Sequence, residues 1–360
     1  MRTILSGVSN PRFEALPDYL AAALSRLGHE VTWFDHRDFL LPGRVRRRWP
    51  ILDRLDVERL NARLVRLAHR VRPDFLIVNQ GAVLTRGTIK QLRDQGVRCV
   101  NWFSDYPAEF DAGLRMADAY DSFFLGSSFA ASRHREAGLA RAFWLPFGCD
   151  PEAHRPDAAE TAAAWRGPET VPPVVFIGSH YPERQVLLRF LRGLSVGVWG
   201  PGWERAADDP IVGPMIRGGP LRPAAWRRLY ARSKVVLNIH YGAFGPIEAS
   251  GDLASTRVFE ILACGAFQVV NRQGDVLRLF RDGEHLSVFS SGEEMRARVE
   301  RALADDARRL AVARAGRAEV LARHTYAHRA SVLLDPAAKD FLPIAAAWPK
   351  ARSGAAGGSR

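Results

Sequence analysis

The feature that most constrains this chain is a short apolar run that recurs and each time ends in polar residues. Phe75-Leu76-Ile77-Val78 gives way to Asn79-Gln80-Gly81, Trp102-Phe103 to Ser104-Asp105, and Phe123-Phe124-Leu125 to Gly126-Ser127-Ser128. Val235-Val236-Leu237 likewise runs into Asn238-Ile239-His240. Apolar runs without alternation are strands covered on both faces, as in parallel sheets with helices packed on either side. Between the runs stand helical patterns, such as Leu20, Ala23, Leu24 and Leu27, then Leu60, Leu64 and Leu67. The alternation predicts an α/β fold, and a parallel sheet of this kind gathers its ligand-binding loops at the C-terminal ends of its strands.

A chain of 360 residues is long for one core. Composition shifts near Arg155-Pro156-Asp157 and again at Val171-Pro172-Pro173, after which a second β pattern starts at Val174. The expected organisation is a Rossmann-like domain over 1–150, a linker over 151–173, a second Rossmann-like domain over 174–334 and a C-terminal segment over 335–360. That last segment is expected to cross back to the first domain and to end in a disordered tail, since it closes on Gly354-Ala355-Ala356-Gly357-Gly358-Ser359.

The formal charge is +12, carried almost wholly by arginine, with lysine only at positions 90, 234, 339 and 350. Such a charge attracts nucleotide phosphates, nucleic acid or an anionic membrane face, and no recognised nucleic-acid module accompanies it. Arg44, Arg46, Arg47 and Arg48 stand beside Trp49. They read either as a patch for a membrane surface or as a solvated face of an arginine-rich protein. Cys99, Cys149 and Cys264 are widely spaced, which argues against a disulfide framework or a zinc site and for a reducing compartment. With neither a signal-like segment nor a membrane-length apolar run, the expectation is a cytoplasmic protein.

One stretch predicts a ligand most directly. Ser255 or Thr256 can cap a short helix whose apolar face is Val258, Ile261 and Leu262, and Gly265 stops it before the strand from Phe267. The loop before it, Ala249 to Thr256, can offer backbone N–H groups to a phosphate at the helix N-terminus. Arg257 and Glu260 lie on the opening turns, with Arg257 read either as a phosphate cation or as the partner that orients the glutamate.

The C-terminal half resembles the CgeB-like (spore maturation type) glycosyltransferases, a branch related to the retaining family 4-type enzymes of the GT-B superfamily. The likeness is carried in order by Phe176-Ile177-Gly178-Ser179-His180-Tyr181-Pro182-Glu183-Arg184, Trp199-Gly200-Pro201-Gly202-Trp203, Leu237-Asn238-Ile239-His240 and Arg257-Val258-Phe259-Glu260. Ala263-Cys264-Gly265-Ala266 and His324-Thr325-Tyr326-Ala327-His328-Arg329 complete it. In the N-terminal half only Trp102 to Pro107 and Leu145 to Pro151 contribute.

The resemblance implies a GT-B fold, two αβα domains facing across a cleft, and transfer of a sugar from a UDP- or GDP-sugar to an acceptor with no obligatory metal or other cofactor. Arg184 stands where relatives bear a diphosphate-binding lysine, and Glu260 where a glutamate receives the ribose hydroxyls. Asp252 takes the place of a donor-sugar acid, one methylene shorter. Gly178, Ser179 and Gly200 leave backbone open to the donor, Trp199 reads as a base-stacking ring or as core, and His240 as a cleft residue or as a structural one. Asp105 replaces a histidine-containing pair, as general base if the reaction inverts and as an orienting group if it retains. The alternatives are an inactive nucleotide-sugar-binding assembly protein of spore-coat type and a GT-B nucleotide-sugar epimerase.

Overall fold

A computed structural model describes residues 1–8, 14–104, 110–156, 171–242, 252–335, 337 and 341. Asp105, most of the linker, the loop residues 249–251 and the terminal tail lie outside the described residues. The chain divides into two compact units.

The first unit comprises the described residues within 1–146 and 251–253 together with those of 326–343. Its sheet has six parallel strands in the order β2-β1-β3-β4-β5-β6. They are β1 (Arg2–Gly7), β2 (Glu30–Asp35), β3 (Phe75–Asn79), β4 (Arg98–Phe103), β5 (Ser122–Leu125) and β6 (Ala142–Trp144). β3 and β5 are buried along nearly their whole length, as continuous apolar runs require.

The helices are α1 (Leu16–Arg26), α2 (Gly43–Arg48), α3 (Pro50–Val71), α4 (Arg86–Asp94), α5 (Phe110–Ala117) and α6 (Ser128–Glu136). The basic run 44–48 lies on the helix α2. Helix α3 starts earlier than its apolar stripe suggested, because Pro50 occupies its first turn, where a missing N–H costs nothing.

The second unit comprises the described residues within 147–250 and 254–325. Its parallel strands are β7 (Val174–Ile177), β8 (Val196–Trp199), β9 (Ile216–Gly218), β10 (Val235–Asn238), β11 (Gln268–Asn271) and β12 (Ser287–Phe289), in the order β12-β11-β10-β7-β8-β9. Around them lie α7 (Pro182–Arg189), α8 (Pro223–Arg232), α9 (Thr256–Ala263), α10 (Gly274–Leu279), α11 (Gly292–Ala304) and α12 (Asp306–Arg323). One face of the sheet packs a core from Phe176, Leu188, Val198, Trp203, Leu237 and Phe289, and the other a smaller one from Val175, Trp199, Leu229, Val236 and Ile261.

Helix α13 (Tyr326–Leu333) returns the chain to the first unit, where it packs against α1 with Tyr326 stacked on Tyr19 at 5.6 Å. Arg329, fully buried, donates from Nε to the carbonyl of Pro146 at 2.8 Å and lies over the ring of Phe341. All three cysteines are buried, and none is in a disulfide.

Candidate active site

In the second unit the strand order reverses between β7 and β10, neighbours in space though far apart in sequence. The crevice beyond such a switch point is where parallel α/β sheets hold ligands. Arg184, in the first turn of α7, closes it: Nη1 donates to the Ser179 carbonyl after β7 at 2.8 Å and Nη2 to the Ile239 carbonyl after β10 at 2.6 Å. The guanidinium lies 4.7 Å from the ring centre of Tyr181 and 5.4 Å from that of Phe176.

Arg184 is only 4% exposed, and its Nε has no hydrogen-bond partner. Among the described residues it forms no ion pair. Burial, and then the positive charge of Arg257, pull its pKa down to about 10, so it stays a cation at neutral pH. Glu183 opposes this shift only weakly, so a buried cation beside a second cation, with no carboxylate bonded to it among the described residues, is electrostatically incomplete.

The glycines explain how the strand exits come so close. A Cβ on Gly200 would lie 2.0 Å from the Gly178 carbonyl oxygen, and Gly200 has φ +144. The same oxygen accepts Trp203 Nε1–H at 2.8 Å, while Gly178 N–H donates to the Trp199 carbonyl at 2.9 Å. Gly200→Ala is therefore expected to lower stability by about 3 kcal/mol through backbone strain and the clash, read as a shift of the denaturant midpoint.

His240 sits 6% exposed after β10. Its Nε2 accepts the Ser255 backbone N–H at 3.1 Å, so the ring proton sits on Nδ1 and is donated to Asn271 Oδ1 at 2.9 Å. The same oxygen accepts the His240 backbone N–H at 2.8 Å. Burial, with the nearby arginines, lowers the pKa to about 4 and keeps the ring neutral. Both nitrogens are thus occupied in fastening the entry of α9 to the end of β11. Asn271 was missed in the sequence, although its polar side chain at the end of an apolar strand marked it.

Ser255 is the N-cap of α9, but its side chain makes no capping bond; the hydroxyl is buried and has no partner among the described residues, beside the half-buried Thr256. Glu260 follows on the second turn. By area it is half-buried, yet its carboxyl is ringed by protein, and burial pushes its pKa up to about 7 against the opposing pull of Arg257 and Arg227. Arg257 also bonds to the phenol of Tyr230, which is 2% exposed. Arg227 and Tyr230, on α8, had gone unread; their place on the helix entering β10 was the available signal.

The structure thus gathers Gly178, Ser179, Arg184, Gly200, His240, Ser255, Thr256, Arg257 and Glu260 around the C-terminal edge of one sheet. Trp199 is placed differently from a stacking ring: it is 4% exposed and packs with Ile177, Leu229 and Ile261. That placement is core. Asp252 is buried with φ +46 and clusters with the first unit.

The first unit has its own feature at the C-terminal strand edge. Gln80 and Gly81 both have φ above +60. Gln80 is pinned by its N–H to the Trp102 carbonyl and by Asn101 Nδ2 donating to its own carbonyl at 2.9 Å. Its side chain donates to Ser104 Oγ at 3.1 Å, so the exits of β3 and β4 do meet. Ser127 instead caps α6, accepting from Ala130 N–H. A cavity of about 510 Å³ opens there, lined by His36, Arg37, Phe39, Arg46, Gln80 and Phe103 among others. A left-handed glutamine held by two backbone bonds next to a cavity is the kind of stored strain that accompanies a binding site.

Among the described residues, no cluster of His, Cys, Asp and Glu could hold a metal ion, and no helix is long and apolar enough to cross a membrane. A glycosyl transferase-like family model matches residues 184–335. No protein of curated function matches the chain in sequence.

Solved structures do match. Sucrose-phosphate synthase from Thermosynechococcus elongatus is similar with a TM-score of 0.65 and 13% identity, over 92% of this chain and 96% of that one. HepE of Anabaena, solved with UDP and glucose, gives 0.61 and 12% over 91% and 97%. Trehalose 6-phosphate synthase from Burkholderia multivorans gives 0.61 and 15% over 93% and 96%. Across more than nine-tenths of its length the chain has the α/β GT-B fold seen in these structures, and residues 184–335 match the glycosyl transferase-like family model.

Proposed function

We propose that this protein is a CgeB-like, cytoplasmic glycosyltransferase that moves a sugar from a UDP- or GDP-sugar to an acceptor, with retention and without a metal. The observation that carries the reading is Arg184, a cation buried at the switch point that forms no ion pair among the described residues. A donor diphosphate would complete it. Departure of the nucleotide leaves negative charge on the phosphate, and fixed cations aimed at that charge in a site drier than water are an effective way to stabilise it. Arg184 is assigned that role, with Arg257 beside it. The open backbone at Gly178, Ser179 and Gly200 lets the donor approach, and the N-terminus of α9 at Ser255 and Thr256 adds partial positive charge.

Glu260 is assigned to the ribose hydroxyls and Asp252 to the donor sugar. His240 acts in this reading by holding the entry of α9 in place. Asp105, outside the described residues, is assigned to orienting the sugar or acceptor. The cavity behind Gln80 is the acceptor side, and the basic run of α2 makes a peripheral contact with an anionic membrane. Support for the donor comes from HepE, whose structure was solved with UDP-glucose.

Incubation of the protein with UDP-glucose and with GDP-mannose, without acceptor, tests the reading. Slow release of free sugar from either donor is the expected result. Binding without any hydrolysis or transfer would instead indicate a nucleotide-sugar-binding protein, and formation of an epimeric sugar an epimerase.

A further inference from the structure

The membrane contact can be taken further, because the corner between α2 and α3 differs from a basic patch alone. Arg46 is withdrawn from it. Its guanidinium pairs with Asp53 at 2.6 Å and stacks on the Phe39 ring at 3.3 Å. Arg44, Arg47 and Arg48 are exposed and have no carboxylate partner among the described residues. The acids near them are engaged elsewhere: Asp53 with Arg46, Glu58 with Arg54 and Asp38 with Arg63.

Beside these cations stand four large apolar side chains turned to solvent, Leu40 at 72% exposure, Ile51 at 69%, Leu55 at 56% and Trp49 at 54%. Five other large apolar side chains are comparably exposed, scattered through the rest of the described residues. All four lie between residues 40 and 55, on α3 and the chain that leads into it. Ile51 and Leu55 are four residues apart on α3 and share a face, and Trp49 forms the turn into that helix under the guanidinium of Arg48. Leu40 is tied to the same helix by its N–H bond to the Asp56 carboxylate at 3.0 Å.

Scattered exposed hydrophobes need no explanation, but a cluster rimmed by unpaired cations does. We infer that the corner formed by residues 40–55 docks on an anionic lipid bilayer surface, with Trp49, Ile51 and Leu55 entering the headgroup boundary and Arg44, Arg47 and Arg48 holding lipid phosphates. Charge complementarity selects the partner. A second copy of this basic chain would bring like charges together, whereas an anionic leaflet attracts each arginine and receives the apolar side chains between them. Helix α2 also walls the 510 Å³ cavity through Gly43 and Arg46, so one helix serves the cavity and the docking corner. The inference rests on the membrane contact proposed above and is independent of the donor site.

The test is sedimentation of the full chain with vesicles of phosphatidylcholine alone and of equal parts phosphatidylcholine and phosphatidylglycerol. Binding to the anionic vesicles only, weakened by salt, is expected. Arg44→Glu, Arg47→Glu and Arg48→Glu together should weaken it by roughly a hundredfold or more. Ile51→Ser with Leu55→Ser should weaken it by about tenfold or more while leaving the charge intact.

A control variant with Arg192→Glu, Arg205→Glu and Arg314→Glu carries the same charge change on the second unit and should bind as the wild type does. Equal loss in the control, or unchanged binding in the serine variant, would overturn the inference in favour of unspecific adsorption. A wild-type dimer that the serine variant dissociates would overturn it in favour of a second copy of the chain. UDP binding by each variant reads the donor site separately.

Discussion

Arg184→Ala is expected to reduce turnover of the nucleotide-sugar donor by about 10²–10³-fold, the usual consequence of removing one fixed group that stabilises developing negative charge. Stability should change far less. The substitution loses two bonds to the Ser179 and Ile239 carbonyls, each worth about 1.5–3 kcal/mol for a charged donor. It also removes a buried cation that forms no ion pair among the described residues and lies near Arg257, and burying such a cation costs several kcal/mol. These terms oppose one another, so the melting temperature should move by only a few degrees while activity collapses. Arg184→Lys keeps the charge but cannot reach both carbonyls with a planar fork, and should fall between the two. A large loss of stability with proportionate loss of activity would instead make Arg184 a purely structural clamp.

Substitution of Glu260 is expected to have the second largest effect. In the ligand-free protein its carboxyl pKa is raised to about 7. Between the ordinary carboxyl range and that value the folded protein keeps a proton that the unfolded chain has released. Stability should therefore fall as pH rises across this window, and Glu260→Gln should remove that part of the fall. Donor binding should show the opposite trend. Ribose hydroxyls donate best to the ionised carboxylate, so UDP affinity should strengthen as pH rises through about 7, beyond the change due to the phosphate itself. Glu260→Ala should weaken UDP by about ten- to a hundredfold, as for loss of hydrogen bonds to a charged group. Calorimetric titration across pH 5.5–8.5 on both variants would check this, and a pH profile shared by wild type and glutamine variant would remove Glu260 from the ribose.

The sheets were legible in the sequence because fully covered strands need unbroken apolar runs, and the run from Phe75 to Val78 falls within β3. Strand β9 was not legible. It is three residues long, lies at a sheet edge and carries one exposed and two half-buried residues, so it has no apolar run to reveal it. The helices α4, α5 and α6 are short and of mixed composition, and went unread for a similar reason.

At the candidate site, residue identities were readable and partnerships were not. The sequence placed His240 at a strand end, but only the fold brings Asn271 and the Ser255 amide to its two nitrogens. Trp199 was ambiguous because an aromatic at a strand terminus can face core or ligand, and the packing of α8 against that side of the sheet decides for core. Likewise the basic run was visible as charge. Its apolar companions Leu40, Ile51 and Leu55 were not, because exposure is a property of the packed helix.

The central claim, that Arg184 awaits a donor diphosphate, is tested most directly by titrating UDP and GDP into the wild type and Arg184→Ala in a calorimeter at low salt. One nucleoside diphosphate is expected to bind with one site per chain, and its affinity to drop at least tenfold in the variant. No binding of either nucleotide, or equal binding by both proteins, would contradict it.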